Sequence, residues 1–332
     1  MRLTILPILL LLLAGYGFAQ EPSSSSLTLT LEVAKADLVL GEPVYAIIRL
    51  TNIGSAPVTV SNILDPQTGT VHIDVAGQAR TNFRFLPLFY ADAVQARVPL
   101  HPGEKIAAAF PIFYGALGWT FDRPGIYRVT ATYQHNGSRR EEPVRSNSAT
   151  ITISDEGGPG ASLIERTPAS EEAGKFLLWQ RGDQLQQGHS LLKRLQQQYP
   201  NSPVIDYAWL AFGRNLSRAF RNYIAGRIRP IDCEAALPYL RLVRPERIPA
   251  YLQIQKHLDE ARCLAALAQP QLDQEVAGKR DPLRVQADLL GELDVEHRQR
   301  DRNPAPRAQH LVQVAVARVV VVVDVAGEAE VL

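Results

Sequence analysis

Apolar residues at Leu27, Leu29, Leu31 and Val33 alternate with Thr28, Thr30 and Glu32, the period-two spacing of a strand that buries one face. Ala36 to Leu40 then leads into Gly41-Glu42-Pro43, where Gly and Pro mark a turn. Val44 to Thr51 is apolar with β-branched and aromatic members, which predicts a central strand covered on both faces. Asn52 to Pro57 turns the chain and Val58 to Val60 begins a return, so Leu38 to Val60 reads as a central hairpin. The same criteria predict strands at Thr70 to Val75, Thr81 to Leu88, Lys105 to Ile112, Ile126 to Tyr133 and Ser148 to Ile153. Turn signals separate them at Asp65-Pro66, Gly77, Pro102-Gly103, Pro124-Gly125 and Asn136-Gly137.

About seven or eight short strands without an intervening helix match the pattern of an immunoglobulin-like β-sandwich, here spanning 27–154. Residues 155–172 are dense in Gly, Pro, Ser and charge and read as a linker. From Ala173 the period changes: Phe176, Leu177, Trp179, Leu185, Leu191, Leu192 and Leu195 recur at helical spacings. Tyr199-Pro200-Asn201-Ser202-Pro203 ends that helix and starts another, with Ser202 as cap and Pro203 at the first position. Cys233 to Val243 and Ile248 to Ala268 complete a further hairpin bent at Pro245. The fold class expected is therefore multidomain β plus α, with a helical region over 173–278.

Two resemblances add to this reading. Leu40-Gly41-Glu42-Pro43-Val44, the Thr51-Asn52-x-Gly54 turn, Pro102-Gly103-Glu104 and Phe121-Asp122-x-Pro124-Gly125-x-Tyr127 resemble bacterial extracellular immunoglobulin-like modules, including the BsuPI-type proteinase-inhibitor domain. That resemblance implies a binding or spacer module, with protease inhibition through sandwich loops as one branch. Trp209-x-x-Phe212-Gly213-x-x-Leu216, followed by Ala225 and preceded by YPNSP, is similar to tetratricopeptide-like repeats of secreted and outer-membrane assembly proteins. In that fold the Gly lets two antiparallel helices approach closely. The early Pro230 and Arg229 in place of a large apolar residue depart from the pattern.

The ends change the picture in different ways. Arg2, the apolar run Leu3 to Leu13 and Gly17-Phe18-Ala19 read as a secretory signal peptide over 1–19, too short in its apolar core for stable membrane insertion. A Pro and Ser-rich tether over 20–26 follows, and the expected location is secreted or periplasmic. At the other end, 279–332 is low-complexity, with Arg-rich Glu296 to Arg307 and five consecutive valines at Val319 to Val323. Such composition suits a disordered segment or a GC-rich gene read out of frame, and no function is rested on it.

The 35 basic against 34 acidic residues give a net charge of +1 in 332 residues, which removes the field that would recruit nucleic acid. The two cysteines, Cys233 and Cys263, are either one disulfide or two buried thiols in an oxidising compartment. Antiparallel packing of their helices would bring them together and motivates the disulfide. The seven histidines form no H-E-x-x-H pair; His72 and Asp74 share a strand face, read as solvated rather than metal-binding. No Gly-x-Ser-x-Gly elbow, Gly-x-Gly-x-x-Gly or Walker loop occurs, so neither enzyme activity nor a cofactor is expected. Aromatic residues are expected mostly in the core. The loop Phe113 to Trp119 holds two glycines among aromatics, and Phe113, Tyr114 and Trp119 are expected to anchor a partner from an exposed tip. The function expected is non-catalytic interaction or scaffolding with a protein partner in the cell envelope or outside it.

Overall fold

The computed structural model describes residues 26–77, 80–91, 96–134, 142–155, 158–222 and 226–279. The signal peptide, all of the tether but Ser26, the Asn136-Gly137 turn and the tail from 280 lie outside the described residues. The chain is a mixed β plus α protein. Its front half holds β1 (Leu27–Val33), β2 (Asp37–Val39), β3 (Tyr45–Asn52), β4 (Val58–Ser61), β5 (Val71–Gly77) and β6 (Arg80–Arg84). It continues through β7 (Arg97–Leu100), β8 (Lys105–Pro111), β9 (Tyr114–Gly115), β10 (Gly118–Trp119), β11 (Gly125–Tyr133) and β12 (Val144–Ser154).

One antiparallel sheet has the order β1-β3-β8, and a five-stranded sheet has the order β2-β12-β11-β5-β6, antiparallel except where β2 meets β12. The alternation in β1 works as its spacing demands, with Leu27, Leu29 and Leu31 buried. They join Ala46, Ile48 and Leu50 of β3 and Ile73, Val129, Tyr133 and Ile151 of the larger sheet in one apolar core. Asn147 of β12 donates to the Leu31 carbonyl at 2.9 Å and accepts from its N–H at 2.8 Å, so a side chain satisfies backbone groups where the two sheets meet.

The central hairpin expected from Leu38 to Val60 does not form. β3 pairs with β1 and β8, whereas β4 pairs with β7, Val58 opposite Leu100. Asn52 explains the change of partner. Its buried amide donates to Ala56 O at 2.9 Å and Leu100 O at 2.7 Å, and its Oδ1 accepts from Gly54 N. The turn is thereby tied to the end of β7, and the next strand starts there. β3 also alternates between buried and half-buried positions instead of being covered on both faces.

The helical half comprises α1 (Gly160–Ile164), α2 (Pro168–Trp179), α3 (Gln186–Gln198) and α4 (Pro203–Leu216). A ribbon of β13 (Phe220–Asn222) and β14 (Arg227–Arg229) follows, then α5 (Cys233–Leu242) and α6 (Ala250–Lys279). The expected linker over 155–172 is helical for much of its length and its Leu163 is fully buried, so it is a packed element. Thr167 explains the start of α2: its hydroxyl accepts from Ser170 N at 3.2 Å, with Pro168 at the first helical position. The single helix expected from Ala173 toward Tyr199 is two helices. Gln180 caps α2 in the left-handed region (φ 51), and its N–H bonds Phe176 O at 2.7 Å. Between α4 and α5, a Cβ at Gly213 would lie 2.6 Å from the Leu240 side chain, so only Gly permits this approach.

The two halves share one core. Tyr45 of β3 packs against Tyr207 of α4 and Tyr251 of α6, with ring centroids 6.1 and 5.5 Å apart. Burial pushes all three phenols upward in pKa, and Tyr45 bonds Tyr251 and Gln180. Among the described residues, no helix is long and apolar enough to cross a membrane.

Candidate functional site

Phe113, Tyr114 and Trp119 are not an exposed tip. They are 1 %, 3 % and 8 % exposed, and only Ala116 and Leu117 of that loop face solvent. The reason lies further along the chain, in α2. Ser170 Oγ accepts from Trp119 Nε1 at 3.3 Å, and a Cβ at Gly174 would collide with the Tyr114 ring. The Tyr114 hydroxyl is pushed up to about 12 by burial and by the Glu171 carboxylate. These aromatics pack the seam between strands and helices, and the expected anchoring of a partner by Phe113, Tyr114 and Trp119 fails because all three are buried there.

Cys233 and Cys263 are joined as a disulfide, with Cα atoms 5.0 Å apart, linking the first turn of α5 to the middle of α6. His72 is half-buried, and Asp74 accepts from Arg84 Nε at 3.2 Å on an exposed face. Among the described residues, no group of three or more His, Cys, Asp or Glu is placed to hold a metal ion.

A cleft of about 170 Å³ opens among α3, α4, α5 and the β13–β14 ribbon. Phe212 and Tyr239 form its aromatic wall, stacked with centroids 5.3 Å apart, and His189 meets Phe212 edge-on at 5.4 Å. Lys193 lies over the Phe212 ring at 5.7 Å and makes no ion pair among the described residues. Arg229 closes the other side, where its Nε donates to Asp183 Oδ2 at 2.7 Å; Asp183 Oδ1 accepts from Asn215 at 2.8 Å. Asp183 is thus held by Arg229 and Asn215. The volume is below the roughly 300 Å³ of ordinary small-molecule pockets and suits a single side chain of a partner.

His189 is the titratable centre of this cleft. Its Nε2 is buried without a hydrogen-bond partner among the described residues. Burial lowers the imidazole pKa, Lys193 adds to that, and Asp183 and Glu172 oppose it. With the folded value below the ordinary 6.5, the stability linked to His189 is fully present above that value. It is lost as pH falls through the lowered folded value. His189→Gln should therefore show a shallower fall of Tm than the unaltered chain between about pH 7 and about pH 5. Identical slopes in calorimetric melts would rule this linkage out.

A second polar cluster joins α4 to α6. Asp259 is fully buried and accepts from Arg214 Nε at 3.0 Å, from Arg218 Nη2 at 3.1 and 3.0 Å, and from Arg262 Nη1 at 2.9 Å. Gln180 and Gln255 accept from Arg214 Nη1. Burial lowers Arg214 to about 10, with Arg218 adding to the effect and Asp259 opposing it. In the sequence Phe212 stands out for its helix spacing and Arg229 only as a departure from the repeat pattern, while His189 is one of seven histidines without a motif. Asp183, Lys193 and Tyr239 carry no local signal, because the cleft's residues come from separate elements.

No family model and no curated protein matches the chain. Among solved structures, a β-glucosidase from Listeria innocua in complex with glucose is similar over 38 % of this chain and 16 % of its own, with 14 % identity and a TM-score of 0.23. The β-glucosidase EmGH1 from Erythrobacter marinus matches 39 % of this chain and 15 % of its own, at 15 % identity and 0.25. The sporulation control protein Spo0M from Bacillus subtilis matches 46 % and 54 %, at 12 % identity and 0.24. Scores this low carry no argument about fold or activity.

Proposed function

We propose that the chain is a secreted, non-catalytic interaction or scaffolding protein of the bacterial envelope. In this reading an immunoglobulin-like module is fused to tetratricopeptide-like hairpins, and the helical half takes the partner. The observation that carries it is the cleft itself, a side-chain-sized slot with an aromatic wall and the unpaired Lys193 at its rim. Aromatic walls beside a cation are a common composition of interaction hot spots.

Further features support the two architectures. Tyr127 near the start of β11 donates through its hydroxyl to Arg123 O at 2.8 Å, the corner contact common in immunoglobulin-like sandwiches. The pairs α2–α3 and α4–α5, with Gly213 set against Leu240, match the helical hairpins that the Trp209 to Leu216 spacing suggests. The shared core between the halves supports a scaffold that holds its cleft at a fixed orientation to the sheets.

Capture of a partner from envelope extract should depend on this slot. Lys193→Glu combined with Tyr239→Ala is expected to abolish capture. Tyr239→Ala also lowers Tm because the Tyr239 ring packs on the core and stacks on Phe212, so Lys193→Glu alone, at an exposed residue, should weaken capture while shifting Tm little. Undiminished capture by the double variant would remove the cleft from the proposal. The inhibitor reading would instead show stoichiometric loss of protease activity unaffected by the pair.

A further inference from the structure

Charge is unevenly matched in the cleft among α3, α4, α5 and the β13–β14 ribbon. Its lining holds one carboxylate, Asp183, and two basic side chains, Arg229 and Lys193. Arg229 cancels Asp183, since its Nε donates to Asp183 Oδ2 at 2.7 Å. The other two nitrogens of Arg229 donate to backbone carbonyls, Nη1 to Pro230 O at 3.1 Å and Nη2 to Asn215 O at 2.6 Å. Asn215 Nδ2 donates to Asp183 Oδ1 at 2.8 Å, and its own Oδ1 accepts from Gly182 N at 3.2 Å. That side of the cleft is a closed network with little to offer an incoming group. The surplus charge is Lys193.

Lys193 is exposed and makes no hydrogen bond or ion pair among the described residues. Its Nζ lies 5.7 Å from the Phe212 ring centroid. His189 precedes it by one helical turn on α3, which puts the two on one face, and the imidazole meets the same Phe212 ring edge-on at 5.4 Å. Its Nε2 has no hydrogen-bond partner among the described residues. An ammonium and an unbonded imidazole nitrogen thus flank one aromatic ring in a space of about 170 Å³. A cationic side chain entering this space would meet Lys193 as a like charge. An apolar one would give Nε2 no partner, and a neutral amide would leave the ammonium without a counter-charge. A carboxylate supplies both the missing charge and acceptor oxygens, while the methylenes that carry it pack on the wall of Phe212 and Tyr239.

We infer that the slot takes the carboxylate of an Asp or Glu side chain on a partner polypeptide, with Lys193 as the group that reads its charge. This rests on the reading of the cleft as the partner's slot and names the chemistry of what enters it. Arg229 acts here as a positioning residue, because it neutralises Asp183, which would otherwise repel the incoming carboxylate.

The test uses the full chain and an array of random peptides blocked at both ends, so that side chains carry the only carboxylates. Bound peptides should be enriched in Asp and Glu. Replacing the selected acidic residue by Asn or Gln should weaken binding about tenfold, and added salt should weaken the acidic peptides most. Lys193→Glu, at an exposed residue, should lose the acidic preference and select Lys or Arg instead with Tm nearly unchanged, whereas Lys193→Arg should keep it. A reversed preference is a result that a merely structural lysine would not give. The inference is overturned if bound peptides show no acidic preference, if Lys193→Glu leaves that preference intact, or if binding requires the free carboxyl ends of a second, unblocked array. Peptides without acidic residues that bind the unaltered chain, and are lost in a Tyr239→Ala chain that still melts cooperatively, would overturn the acidic side chain alone and leave the cleft as an interaction site. A chain that selects no peptide would overturn both.

Discussion

Asp259→Asn should lower the unfolding free energy by about 3–5 kcal/mol, read from the urea midpoint. The carboxylate is fully buried and, among the described residues, is the one anion that Arg214, Arg218 and Arg262 all contact. Asparagine keeps the shape but removes the charge and turns one acceptor into a donor aimed at guanidinium groups. Arg214, lowered to about 10 by burial and by Arg218, would then have only neutral acceptors among the described residues, Gln180, Gln255 and at most the one remaining amide oxygen. Removing one partner of a buried pair costs more than the pair contributes, because the other charge stays buried. Two comparisons separate this from general fragility. Gln255→Ala, which removes one neutral acceptor, should cost about 1 kcal/mol. The double variant Asp259→Leu with Arg214→Leu should recover part of the loss, since it leaves less unpaired charge inside. A loss below about 1 kcal/mol for Asp259→Asn would show that the charge is not what holds α4 to α6.

How far the chain could be read from its order of residues depends on the reach of each interaction. The alternation in Leu27 to Val33 is local, and it predicted both β1 and the inward face. So did the turn chemistry at Pro102-Gly103, where Gly103 takes a φ of 81 ahead of β8. The cap at Thr167 was equally local, yet the Gly, Pro and Ser around it suggested a linker, because composition says nothing of Leu163 finding a buried place. Strand pairing was beyond reach. Whether β4 returns to β3 or joins β7 is decided by Asn52 reaching Leu100 O, a contact across 48 residues.

The functional residues follow the same division. Two glycines in Phe113 to Trp119 describe a loop able to bend, and they do not reveal that Gly174 has cleared a space for Tyr114 on α2. The arginine cluster depends on contacts across 41 and 45 residues, so no spacing in the chain announces it. The cysteines were different. Helical periodicity placed one near a helix start and the other inside the next helix, and two antiparallel helices have few ways to arrange that.

Replacing both cysteines by alanine should lower stability by about 3–4 kcal/mol, the entropy released when a loop closed across 30 residues is freed in the unfolded chain. Packing offers little to offset this. The bond sits in a small apolar cluster of Cys233, Ala236, Leu237 and Cys263 with Leu216 against it, apart from the main core. Toward its start, α6 is held by Tyr251 and Leu252 in the main core, and in its middle by Asp259. Past Cys263 its residues through 268 are exposed, including Leu264 at 49 %. The loss should therefore fall unevenly. Hydrogen exchange should show faster exchange of amides from about residue 256 onward in α6 and in the first turn of α5, with β11 and β12 protected as before. Uniform loss of protection through both sheets would mean instead that the disulfide supports the whole shared core. An unchanged urea midpoint would mean that Asp259 with its arginines and the packing of Tyr251 and Leu252 keep α6 in place without the disulfide.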